Sequence, residues 1–90
     1  MKPVRTVEDL YPAIEELIAE LKASGESKLS TILDHRMHRI AWTARSELFD
    51  ELREVFRKAL EVEPPNLPLS LRNDIQTLLQ VISDYLERQG

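Results

Sequence analysis

Leu48, Phe49, Leu52, Val55, Phe56, Ala59 and Leu60 recur at helical spacing. At about 100° per residue they cover an arc of roughly 140° on a helix. That arc is wider than a seam with one neighbour needs, so a helix over about 44–61 is expected to touch more than one partner. The same 3.6-residue rhythm recurs along the chain. Leu10, Ile14, Leu17, Ile18 and Leu21 form one stripe, and Leu29, Ile32, Leu33, Met37, Ile40 and Ala41 a second. Leu71, Ile75, Leu78, Leu79, Ile82, Tyr85 and Leu86 form a third. No segment of four or more residues alternates cleanly with period two, which excludes amphipathic strands. The fold class is therefore all-α: a compact four-helix domain with helices over about 9–24, 27–41, 44–61 and 70–88, arranged as an irregular or orthogonal bundle. The whole of 1–90 reads as a single helical domain.

Prolines and glycine set the boundaries. Pro12 lacks an N–H and is tolerated best in a first turn, where that donor would have no intrahelical partner. Asp9 is the N-cap that satisfies this condition; Thr6 competes, but it would leave Pro12 too deep. Gly25, after Ser24, suits the left-handed residue that closes a helix. Thr43 is a candidate cap for the third helix and Ser70 for the fourth. Between these last two helices, Glu63-Pro64-Pro65-Asn66-Leu67-Pro68 forces extended backbone and reads as a stiff connector.

Charge enters because it is uneven. The chain carries a formal −4, which argues against general nucleic-acid binding. Yet residues 27–45 hold Lys28, Arg36, Arg39 and Arg45 against the single acid Asp34. Residues 1–26 hold three bases and six acids. This asymmetry either draws the first two helices together or marks a surface for a partner. The sequence has no cysteine, so disulfides and thiolate metal sites are excluded. The start has no signal-like apolar run, and no stretch is long and apolar enough for a membrane span. A cytoplasmic protein without membrane association is the expectation.

The segment Asp34-His35-Arg36-Met37-His38-Arg39 holds both histidines. Asp34 and His38 are four apart and His35 and His38 three apart, so helical spacing brings them near one another. They are the candidates for a metal site. No zincin-like Glu lies between the histidines, no further His or Cys exists, and Arg36 and Arg39 oppose a cation. The expectation is thus no metal and no cofactor, with Asp34 paired to His38 on a polar face. No glycine-rich phosphate loop exists, since Gly25 and Gly90 are the only glycines. Adjacent acids such as Glu15-Glu16 diverge on a helix, and no catalytic residues are assigned.

Trp42 is the sharpest single residue. On a continued helix it would join His35 and His38 opposite Leu29, Leu33 and Ile40. Either the helix breaks near Ile40 and Trp42 turns inward, or its face is covered by a partner. His35, His38, Arg39, Trp42 and Arg45 are accordingly the candidate interaction surface, Trp and Arg being common binding anchors. The expected function is protein–protein interaction without catalysis, first as a homo-oligomer, specifically a dimer, or with an unidentified protein. Two alternatives stand beside it. One is a nucleic-acid-associated protein using residues 28–45, which the acids Glu47, Asp50, Glu51 and Glu54 on the following helix oppose. The other is an acidic inhibitor or immunity-like partner protein.

Overall fold

The turn that joins the first two helices shows how little chain this fold spends on connections. In the computed structural model, which describes residues 4–62 and 67–89, α1 spans Val7–Ala23 and α2 spans Ser27–His38. Gly25 has φ +86°. Its N–H bonds to the Lys22 carbonyl at 3.2 Å, and the Glu26 N–H bonds to Leu21 at 2.9 Å. Both bonds close the last turn of α1 as a Schellman motif. The carbonyl of Glu26 then accepts the Ser30 N–H at 3.1 Å and begins α2. Helix α3 spans Arg45–Val62 and α4 spans Leu69–Gln89.

The start of α1 corrects the sequence reading. Thr6, extended at φ −129°, is the N-cap, and Asp9 sits in the first turn. The Asp9 carboxylate accepts the N–H groups of Arg5 at 3.0 Å and Thr6 at 3.1 Å. A carboxylate reaching back in this way satisfies donors that a helix start leaves open. Pro12 consequently lies inside the helix. It is tolerated there because Pro12 and Glu8, whose carbonyl it leaves without a donor, are both solvent-exposed.

Three smaller boundaries also move. The carbonyl of Pro68, not the Ser70 side chain, opens α4 by accepting the Arg72 N–H at 3.0 Å. The Ala44 carbonyl accepts the Glu47 N–H at 3.1 Å, so α3 starts one residue after Thr43-Ala44 rather than at the threonine cap. Helix α2 stops three residues early, at His38. Of the proline connector, Glu63 to Asn66 lie outside the described residues, while Leu67 packs half-buried against the core.

The neighbouring pairs are α1–α2, α2–α3, α3–α4 and α1–α4. This closes a four-helix ring with α1 and α3 on one diagonal and α2 and α4 on the other. Side-chain pairs show that ring neighbours run antiparallel: late α2 meets early α3 through Arg36 and Glu51, and early α3 meets late α4 through Phe49 and Tyr85. The radius of gyration is 12.3 Å, close to the ~12 Å of a well-packed chain this long. The ring is irregular because α2 has 12 residues where the others have 17 to 21.

The core fills the ring from three sides. Leu10, Ala13, Ile14, Leu17 and Leu21 come from α1, and Leu48, Phe49, Leu52, Phe56 and Ala59 from α3. Helix α4 adds Leu71, Ile75, Leu78 and Ile82. Phe49 is the keystone across the diagonal, 5.6 Å from the Tyr11 ring and 5.4 Å from that of Tyr85, the latter edge-on. Such tilted and edge-on geometries suit the ring quadrupoles. Helix α3 thus bridges to α1 as well as to its neighbours, as its broad apolar arc requires. Helix α2 gives the core only Leu33, beside the buried Ser30. Among the described residues no helix is long and apolar enough to cross a membrane.

Candidate functional site

The link from α2 to α3, residues 39–44, decides where the sequence-derived surface lies. Trp42 turns inward: it is half-buried, packs against the core, and its indole Nε1–H donates to the Arg36 carbonyl at 2.6 Å. That bond satisfies one of the carbonyls exposed at a helix C-terminus. A helix continued to residue 41 would have carried Trp42 to the outer face, so early termination is what lets the largest side chain bury area. Ile40 is half-buried, and Ala41, expected in the stripe, is exposed.

The basic residues around it are engaged mostly within the chain. His38 Nε2 lies 2.7 Å from Glu15 Oε1 on α1 and 3.7 Å from Asp34 Oδ1. The expected Asp34–His38 pair is therefore present, but the shorter contact crosses to α1. Arg45 Nη1 reaches Glu8 Oε1 at 3.5 Å, and its guanidinium stands 5.9 Å from the centre of the Tyr11 ring. Arg36 Nε donates to Glu51 Oε1 at 3.2 Å, and its Nη1 lies 2.7 Å from His35 Nδ1. A guanidinium only donates, so that imidazole nitrogen is the acceptor. Arg39 stands exposed beyond them. The charge asymmetry of the sequence thus resolves partly inward, by drawing α2 and the start of α3 onto acidic α1. The His38 and Arg45 pairs are solvent-exposed and Arg36–Glu51 is partly buried; surface pairs of this kind contribute about 1 kcal/mol or less each.

The metal candidates are not gathered. His35 turns to Arg36 while His38 turns to Glu15, and among the described residues no three His, Cys, Asp or Glu side chains are placed to hold an ion.

A different feature emerges one helix face away. Between α2 and α3 runs a groove of about 380 Å³. Leu29, Ile32, Val55 and Ala59 provide its apolar lining, with Glu26, Lys28, Arg36, Glu51, Glu54 and Lys58 around them. Leu29, Ile32 and Val55 are half-buried, with Leu29 and Val55 packed against the core. The sequence places all three in apolar stripes, and the structure leaves each of them at the edge of its stripe, incompletely covered. The available signal was the composition of α2, where Ser27, Lys28, Ser30, Thr31 and Asp34 interrupt the apolar positions. Such a helix buries a narrow face and leaves the flanks of its stripe, with Val55 facing them on α3, only partly covered.

Comparison of the chain with protein-family models, with curated proteins and with solved structures returns no match.

Proposed function

We propose that this chain is a protein–protein interaction module that associates with itself, as a cytoplasmic dimer with no chemistry of its own. The observation that supports this reading is the α2–α3 groove. It sets Leu29, Ile32 and Val55, each half-buried, side by side with part of their surface open to solvent, while Leu69, 70% exposed, is the large apolar side chain most open to solvent among the described residues. Contiguous apolar surface with a charged border is the usual mark of a docking face. A nucleic-acid role draws less support, because Arg36 and Arg45 are held by Glu51 and Glu8. Light scattering or sedimentation over a range from micromolar to about millimolar protein tests the reading. A mass rising toward twice the monomer supports it, and a strict monomer at the top of the range refutes it.

A further inference from the structure

We draw no further inference here: the strongest candidate, the partly covered apolar groove between α2 and α3, carries both signs of charge at each end of its border, with Arg36 already paired to Glu51, and nothing in the structure shows what covers it.

Discussion

Helix α3 buries Leu48, Phe49, Leu52, Phe56 and Ala59, while α2, packed beside it, buries one large apolar side chain, Leu33. The two neighbours are held by different means. The broad apolar face of α3 meets α2, α4 and, through Phe49, the Tyr11 ring of α1. Helix α2 is held by its ends: the Gly25 turn before it, the Trp42 indole on its last carbonyls, and the His38–Glu15 and Arg36–Glu51 pairs along its sides. Burial is distributed and strong, whereas caps and exposed ion pairs are local and weak. The contrast explains why the open groove lies along α2. A helix with a thin buried face cannot shield the flanks of its own stripe.

The largest expected effect is on the α3 side. Phe49→Ala removes the ring that links Tyr11 and Tyr85, and is expected to cost about 3–5 kcal/mol. That is a large part of the roughly 5–15 kcal/mol a small domain has, so chemical denaturation should show a cooperative protein near its threshold. Leu33→Ala is expected to cost about 2–4 kcal/mol. Its distinguishing mark is local: hydrogen exchange should show the α2 amides losing protection before those of α1, α3 and α4. Uniform loss across all four helices would erase the distinction between α2 and α3.

Gly25→Ala and Trp42→Phe probe the two ends of α2. No atom lies within 4 Å of a Cβ placed on Gly25, so the penalty is that of the positive φ alone, about 1 kcal/mol. Trp42→Phe keeps an aromatic ring and deletes the bond to the Arg36 carbonyl, at about 0.5–1.5 kcal/mol. Thermal unfolding measures both, and exchange should place both effects mainly in α2. The smallest effect belongs to α1. The N–H of Arg5, then that of Thr6, hold the Asp9 carboxyl below its ordinary value. This contribution is complete above the unfolded carboxyl's pKa and is lost as pH falls through the lower folded value. Asp9→Asn should lessen that acid-side slope in melting temperature and leave neutral-pH cooperativity intact.

Much of the fold is legible in the sequence because helix, cap and turn signals are local. Gly25 announces the α1–α2 turn, and the stripes of α1, α3 and α4 name nearly all the buried residues. The start of α1 was less legible, since the reach of Asp9 back to Arg5 and Thr6 outweighed the preference of Pro12 for a first turn. The candidate surface from His35 to Arg45 was legible as a cluster of residue types but not as an arrangement. Glu15 and Glu8, which take His38 and Arg45, lie 23 and 37 positions away along the chain. No spacing rule within α2 points to them.

By itself the sequence determined that the chain is helical, where its helices are separated, and which residues are apolar enough to fill a core. Those properties follow from backbone sterics and periodicity, which act over a few residues. The tertiary structure alone decided that Trp42 turns inward, that the acidic and basic segments close on one another, and that Leu29, Ile32 and Val55 are only partly covered along a groove. A residue's burial depends on what the neighbouring helix presents to it. That is a property of two helices together, absent from the pattern of either one.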